Sequence, residues 1–269
     1  MDIVLIGAGR VAGAFAPFLM KMGSLRIWNR TFENASILAK KVGAIAISDP
    51  TQVKGDFAFV AVSDKALRNV AEQFSQSFTV ALHTSGFHPS SVIEPMANYV
   101  GSLHPWLPIP EQDHNLLVNA LATFEGDREA EQIAAELASI VPLRLHRIDS
   151  QKKTTYHTAA VLLSNYVDVL MIKGGELLRE AGVTPAYDDN DNDAPSNEHS
   201  SGELDAEKLF VKEIVETTLR NYLKLGKDSL TGPAVRKDME VIDAEASTLS
   251  EKWSLVYRLL AEIIMEGGI

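Results

Sequence analysis

Two glycines close to the start of the chain constrain the fold more than any other feature of the sequence. In the segment DIVLIGAGRVAGAF (residues 2–15), an apolar run from Ile3 to Ile6 stops at Gly7, and apolar residues then recur at helical spacing from Val11 onward. This pattern predicts a strand, a tight turn and a helix in succession.

The spacing of the small residues matches the fingerprint of a dinucleotide-binding turn. In that fingerprint the first glycine permits the turn, the second lets the backbone approach a pyrophosphate, and the third small residue lets the helix pack on the strand. Here these residues are Gly7, Gly9 and Ala12. The helix opens with Arg10 and Val11, whose N–H groups would face the phosphates. A turn that serves packing alone is the alternative.

The next predicted strand ends at Asn29, Arg30 and Thr31, where such a fold binds the adenine ribose. A carboxylate there would accept hydrogen bonds from a free ribose 2′-OH, but the sequence places a guanidinium between an amide and a hydroxyl group instead. These donors suit a 2′-phosphate, so the sequence favours NADP over NAD as the cofactor. A solvated arginine in a turn is the alternative.

Composition excludes several classes of protein. The 269 residues include no cysteine, which excludes disulfides and thiolate metal sites, and we expect no metal centre. The net charge of −11, without a basic patch, argues against nucleic acid as a partner. No signal peptide and no uninterrupted apolar stretch of about 18 residues is present, so we expect a cytoplasmic protein without a membrane partner.

Much of the negative charge lies in one segment. Residues 187–205 contain seven acidic side chains and no Lys or Arg. This composition is typical of a flexible loop, which we predict at residues 187–203. The glycine and the closing glutamate of a calcium-binding loop are missing from it.

Short apolar runs alternate with helical patterns as far as residue 148, and only helical patterns follow. The predicted strands are residues 2–6, 24–28, 44–47, 57–62, 78–83, 100–103, 121–124 and 142–146. Such alternation predicts an α/β Rossmann domain at 1–148 with a doubly wound, mostly parallel sheet. Long helices are predicted at 151–181, 204–225 and 233–264, so residues 149–269 form an all-α domain.

In an open α/β sheet, ligands bind beyond the carboxyl ends of the strands. Small and polar residues follow two of the predicted strands there, and ordinary turn chemistry is the alternative role for them. We expect a dinucleotide to lie along this edge, against Val62, Ser63, Thr84, Ser85 and Gly86.

Six segments together resemble a bacterial family of NADP oxidoreductases that combine a Rossmann-like domain with a helical domain of unknown function. They are GAGRVAG, HTSG, SLHPW, FEGDREAE, YHTAAVLLSNYVDVL and LTGPAVRKD. More distantly, the chain resembles the 6-phosphogluconate dehydrogenase superfamily. The resemblance implies a reductase or dehydrogenase but no particular substrate, and we hypothesise a small, anionic metabolite. It also implies a homodimer formed through the helical domain, which closes over the substrate cleft.

His104, in SLHPW, is one candidate proton donor. It resembles the His-Pro of prephenate and arogenate dehydrogenases, but Trp106 and Leu107 stand where that motif continues with Met-x-Gly. A histidine that merely caps a strand is the alternative. Ser85, just after the end of the preceding strand, is a further candidate catalytic residue.

The first long helix offers a polar stripe. At the angular spacing of a helix, Lys153, His157 and Ser164 fall within about 40° of one another, with Asn165 on the adjoining flank. Hydroxyacid dehydrogenases place a Lys and an Asn four residues apart on the corresponding helix, whereas here His157 stands four residues after Lys153. We take His157 and Asn165 as catalytic candidates and expect Lys153 to be exposed.

The segment LTGPAVRKD supplies a last candidate. Gly232 and Pro233 favour a turn into a helix, where Arg236 could bind a carboxylate or phosphate; a solvated surface turn is the alternative. Two classes of function therefore stay open. One is an NADP-dependent oxidoreductase, with a prephenate-like dehydrogenase as its variant, and the other is a noncatalytic NADP-binding sensor.

Overall fold

The computed structural model describes residues 1–183 and 206–267. The acidic segment 187–203, predicted as a flexible loop, lies outside the described residues. The chain divides into two compact units, Met1–Asp168 and Val169–Ile269. The domain boundary predicted at 148 follows directly on the last strand of the sheet, which ends at Arg147.

The first unit is built around an eight-stranded sheet. Its strands are β1 Asp2–Ile6, β2 Ser24–Trp28, β3 Ile45–Ile47, β4 Gly55–Val60, β5 Phe78–His83, β6 Ala97–Pro105, β7 Leu121–Gly126 and β8 Arg144–Arg147. They lie in the order β3-β2-β1-β4-β5-β6-β7-β8, and only the β6–β7 pair is antiparallel. The predicted doubly wound, mostly parallel sheet is confirmed.

Four helices flank this sheet. They are α1 Arg10–Met22, α2 Phe32–Val42, α3 Asp64–Gln73 and α4 Arg128–Ile140. Alternate residues of the central strands enter two separate cores: Leu5 and Phe59 pack with Phe15 in one, and Val4 and Val60 pack in the other. Because both faces are covered, the strands are continuous apolar runs rather than alternating ones.

The remaining described α-helices follow the last strand of the sheet. They are α5 Lys153–Leu163, α6 Asn165–Glu180, α7 Ala206–Leu225, α8 Pro233–Arg236, α9 Met239–Ser247 and α10 Glu251–Glu266. None of the helices within 1–183 and 206–267 is both long and apolar enough to cross a bilayer.

Two of the predicted helices were wrong as single elements. The first is interrupted at Ser164, whose backbone leaves the helical region (φ −122°, ψ −80°) while its hydroxyl donates to the carbonyl of Ala160 at 2.7 Å. The last is interrupted at Lys237, which has φ 57°, and Asp238 then caps α9 by accepting from the N–H of Val241. Side chains that compete for backbone groups end helices in ways that apolar periodicity does not show.

Candidate functional site

The turn after β1 admits only glycine at its first position. Gly7 has φ +116°, and a Cβ there would lie 2.2 Å from the carbonyl oxygen of Ala61. Its N–H donates to the carbonyl of Trp28 at 2.8 Å, and the N–H of Ala61 donates to Ile6 at the same distance. The turn therefore lies between the carboxyl ends of β2 and β4, where these hydrogen bonds fix it.

The start of α1 is open to a ligand. Gly9 is the N-cap residue of the helix and has no side chain to occupy the free N–H groups. An added Cβ at Gly9 would meet no other atom within 4 Å. Arg10 is exposed and Val11 half-buried, and no acidic side chain lies in this first turn. The N–H groups that open a helix have no partner within it, so they are available to an anion. Ala12 is fully buried and packs the helix on the sheet.

A cavity of about 720 Å³ begins at this turn. Seven of the predicted cofactor residues line it: Gly7, Gly9, Asn29, Arg30, Thr31, Val62 and Ser63. Arg30 is exposed beside Thr31, which caps α2 without using its side chain. The chemistry of these residues fits NADP: the start of α1 would hold the pyrophosphate, and Arg30 with the start of α2 would hold the 2′-phosphate, a placement that stays a prediction.

We call the turn at Gly7–Gly9 and the cavity that begins there the cofactor cradle. Gln112 contacts this cradle, and the sequence analysis missed it. Its amide group donates to the carbonyls of Ala8 at 3.1 Å and Gly9 at 3.3 Å. The same side chain packs against Gly13, where an added Cβ would lie 2.4 Å from Gln112 Cγ. Since the contact joins residues about a hundred positions apart, no local pattern could have indicated it.

The loop after β5 holds Thr84, Ser85 and Gly86 outside that cavity. The N–H of Thr84 continues the sheet by donating to Val60 at 3.2 Å. The hydroxyl of Ser85 accepts from the N–H groups of Phe87 at 3.1 Å and His88 at 2.9 Å, so it is engaged within its own turn.

Two histidines converge on Gly86. A Cβ at this buried glycine would lie 2.8 Å from both His104 Nε2 and His157 Cδ2, and the two ring centroids are 6.4 Å apart. His104 comes from β6 and His157 from α5. The structure thus brings together two residues that are 53 positions apart in the sequence.

A second cavity, of about 310 Å³, opens beside this pair. Its walls are mostly apolar, and they include three of the predicted catalytic residues. The lining residues are His104, Trp106, Leu107, Pro108, His157, Ala160, Val161, Leu163, Ser164 and Asn165. Arg236 ends α8 in the second compact unit, and its place in the site stays a prediction.

Lys153 is buried, with 2% of its surface exposed, so the prediction of an exposed lysine was wrong. Its ammonium donates to Ser85 O at 2.8 Å and Ser102 Oγ at 2.5 Å and lies 3.7 Å from Glu125 Oε1. Glu125 in turn accepts from the N–H and the hydroxyl of Ser90 at 2.7 and 2.8 Å. Helical spacing could not show that the facing strands carry buried polar partners.

The buried ammonium changes the titration of its neighbours. Burial, and then the charge of Lys153, lower the pKa of His104 to about 4 and that of His83 to about 3. Burial also lowers the pKa of Lys153 to about 8, against the opposing effect of Glu125. Both imidazoles are therefore neutral near pH 7.

Tyr156 is the other residue that the sequence analysis missed. Its hydroxyl lies 2.8 Å from His104 Nδ1, and its ring packs against Trp106 with centroids 4.7 Å apart. Tyr156 follows Lys153 by three positions, which places both on one face of α5. That spacing is the signal that could have identified it.

Comparison with known proteins decides the family. Residues 120–264 match the family model described as Domain of unknown function (DUF2520), which is more than half of the chain. The chain belongs to this family. In this DUF2520 protein, residues 2–82 also match the family described as NADP oxidoreductase coenzyme F420-dependent. The predicted family, the NADP cofactor and the oxidoreductase class are confirmed. No curated protein sequence matches the chain.

Solved structures agree on the fold. A protein from Bacteroides fragilis provisionally named an NADP oxidoreductase is 24% identical, with 98% of both chains covered and a TM-score of 0.76. A Thermotoga maritima protein is 23% identical over 98% of this chain and 97% of its own, with a TM-score of 0.68. A reductive aminase from Aspergillus terreus, solved with NADPH and ethyl-5-oxohexanoate, is 15% identical over 99% and 94%, with a TM-score of 0.68.

The position of Arg30 in the first cavity predicts a cofactor-specific effect. We expect Arg30→Ala to weaken NADP binding by about 1.5–3 kcal/mol, the contribution of a hydrogen bond to a charged group, and to change NAD binding much less. Titration calorimetry with both cofactors measures this. Arg68→Ala, which removes an exposed arginine outside the cavity lining, is the control. Equal losses for NADP and NAD in Arg30→Ala would contradict the assignment.

The lowered pKa values of His83 and His104 predict how stability depends on pH. Between about pH 6.5 and pH 4, the unfolded chain binds protons at these imidazoles and the folded chain does not, so stability falls as the pH falls. Each histidine contributes up to about 1.4 kcal/mol per pH unit in this window. Urea unfolding at several pH values should show a shallower dependence in His104→Asn than in the parent chain, and identical slopes would contradict the prediction.

Proposed function

We propose that this chain transfers hydride between the nicotinamide of NADP and the carbonyl or imine carbon of a small metabolite. One observation carries the proposal: His104 and His157 meet over Gly86, at the edge of the sheet that also holds the cofactor cradle. This edge is where doubly wound sheets bind their ligands. A protein that only sensed the NADP ratio would need no pair of imidazoles there.

NADPH bound in the cradle would supply the hydride. The chain itself has to stabilise the negative charge that develops on the substrate oxygen or nitrogen, and the two imidazoles provide N–H groups for this. Trp106, Leu107 and Val161 form apolar walls that limit access of water. Asn165, at the start of α6, is the candidate that orients the substrate.

The proposal includes an anionic substrate. It rests on the segment LTGPAVRKD, in which Arg236 could bind a carboxylate or phosphate, and the resemblance favours that role over a solvated surface turn. Ser85 acts as a positioning residue in this proposal, because its hydroxyl is held by two backbone N–H groups and its carbonyl accepts from Lys153. A prephenate-like dehydrogenase is the second candidate, favoured by the succession of His104 and Pro105.

Replacing the proton donor should reduce turnover without reducing cofactor affinity. We expect the variant that lacks it, His104→Ala or His157→Ala, to lose about 10² to 10⁴ in kcat, the usual contribution of general acid catalysis. Oxidation of NADPH is followed at the nicotinamide band with a panel of small keto and imino acids and, in the reverse direction, with prephenate and arogenate. His146→Gln, an exposed histidine on β8, is the control. The sensor hypothesis takes over if no compound turns over while NADP still binds tightly.

We also propose that the chain forms a homodimer through its helical part. In the second unit, the buried cluster of the described residues contains only Ala234, Ile242 and Ala261. Large apolar side chains are instead more than a third exposed along three helices: Val169, Leu170 and Ile172 on α6, Leu209, Phe210, Ile214, Leu219, Tyr222 and Leu223 on α7, and Leu255, Val256, Leu259, Leu260 and Ile263 on α10. Large exposed apolar surfaces are rare on monomers and typically mark interaction sites, so these side chains support an interface.

The mass in solution tests this assembly. We expect multi-angle light scattering to give twice the chain mass at micromolar concentration. Leu223→Glu, which places a charge on the exposed apolar surface of α7, should shift the equilibrium towards the monomer, and the neighbouring Lys224→Glu should not. A monomer mass for the parent chain would contradict the proposal.

A further inference from the structure

The two ring nitrogens of His104 have different surroundings. Nδ1 lies 2.8 Å from the hydroxyl of Tyr156, whereas Nε2 is directed at Gly86 and the cavity that His157 also lines. A neutral imidazole carries one N–H, and the hydrogen bond at one nitrogen decides which nitrogen carries it. The state of His104 at the cavity is therefore set by Tyr156.

The direction of this hydrogen bond follows from what each group can give. Two groups lie beside the Tyr156 hydroxyl: His104 Nδ1, at 2.8 Å, and the buried hydroxyl of Thr123. The Thr123 hydroxyl bonds to no other described residue, so its proton is placed on the Tyr156 oxygen, and the Tyr156 proton is left for Nδ1. Burial raises the pKa of Tyr156, against a smaller opposing effect of the Thr123 hydroxyl, so the phenol keeps its proton. An O–H left without an acceptor in this half-buried place would be unfavourable. Tyr156 therefore donates, and Nδ1 accepts.

We infer that Tyr156 is a positioning residue that holds His104 as the Nε2–H tautomer, and that the two histidines have different roles. His104 donates a hydrogen bond from Nε2 to the reacting oxygen or nitrogen, and His157 transfers the proton. This division rests on the proposed function, but the tautomer of His104 does not.

The proton balance supports this division. In the reductive direction bound NADPH would supply the hydride: the C–H bond at nicotinamide C4 would break, a C–H bond would form at the carbonyl carbon, and the π electrons would move to the oxygen. If His104 gave up its Nε2 proton, it would become an imidazolate, or Tyr156 would have to become a phenolate against its raised pKa. Protonated His157 can transfer its proton to the oxygen and become a neutral imidazole, which solvent then protonates again. His104 keeps its proton throughout and stabilises the charge as it forms.

Nitrogen NMR of the NADP complex tests the tautomer without any substrate. In the ¹⁵N-labelled protein we expect His104 to show a pyrrole-like Nε2 and a pyridine-like Nδ1, assigned by the loss of these signals in His104→Gln. In Tyr156→Phe the two nitrogens should shift towards each other as the tautomers mix. Tyr257→Phe removes a hydroxyl bonded to Glu245 instead and should leave His104 unchanged. A protonated Nδ1 in the parent chain, or unaltered signals in Tyr156→Phe, would overturn the inference.

Paired substitutions test the two roles once a substrate is found. A glutamine side chain can donate a hydrogen bond but cannot transfer a proton near pH 7. We therefore expect His104→Gln to retain at least about ten-fold more kcat than His104→Ala, while His157→Gln falls as far as His157→Ala, by about 10² or more. The reverse pattern would overturn the division of roles.

These outcomes separate the inference from the proposed function. If no compound turns over but the NMR spectra show the Nε2–H tautomer and its loss in Tyr156→Phe, the positioning role stands and hydride transfer is wrong. If turnover is found and the tautomer is Nδ1–H, hydride transfer stands and the role of Tyr156 is wrong.

Discussion

The buried ammonium of Lys153 is the interaction on which the arrangement of the candidate site depends. It connects the first turn of α5 to the loop after β5 through Ser85, to β6 through Ser102 and to β7 through Glu125. Removing one partner of such a buried pair typically costs about 3–5 kcal/mol, because the other charge is then left without compensation. This restriction fixes the orientation of α5, and with it the positions of Tyr156 and His157 over the end of the sheet.

The same charge determines which protonation states are available nearby. Next to a buried cation, an imidazolium is disfavoured, and burial acts in the same direction on His83 and His104. The neutral imidazole of His83 makes two hydrogen bonds to the backbone. Nδ1 accepts from the N–H of Ser85 at 3.1 Å, so Nε2 carries the proton and donates to the carbonyl of Pro89 at 3.2 Å. These two hydrogen bonds tie His83 to the loop after β5 on both sides of Gly86, the glycine that contacts the histidine pair.

The turn at Gly7 and the strand end at Arg30, which line the first cavity, could be predicted from the sequence because their constraints are local. The positive φ of Gly7 and the strand, turn and helix around it involve consecutive residues, and the strand that ends at Arg30 follows at a set distance. The histidine pair was only partly predictable, because the proximity of His104 to His157 depends on the register of β6 and on the position of α5 against the sheet. The burial of Lys153 was mispredicted for the same reason: Ser102 and Glu125 are directly opposite each other only in the folded β6–β7 ladder.

The position of Lys153 also explains how this chain differs from the pattern of a lysine and an asparagine four residues apart. An ammonium has three N–H donors, and those of Lys153 are directed at a carbonyl, a hydroxyl and a carboxylate inside the protein. No donor is then left for a substrate. One helical turn further on, where that pattern has an amide, α5 presents the imidazole of His157 to the cavity. An imidazole can exchange a proton near neutral pH, which an amide cannot. Under the proposed function, this replacement therefore moves acid–base capacity one turn along the helix, and the buried contacts of Lys153 support the helix beneath it.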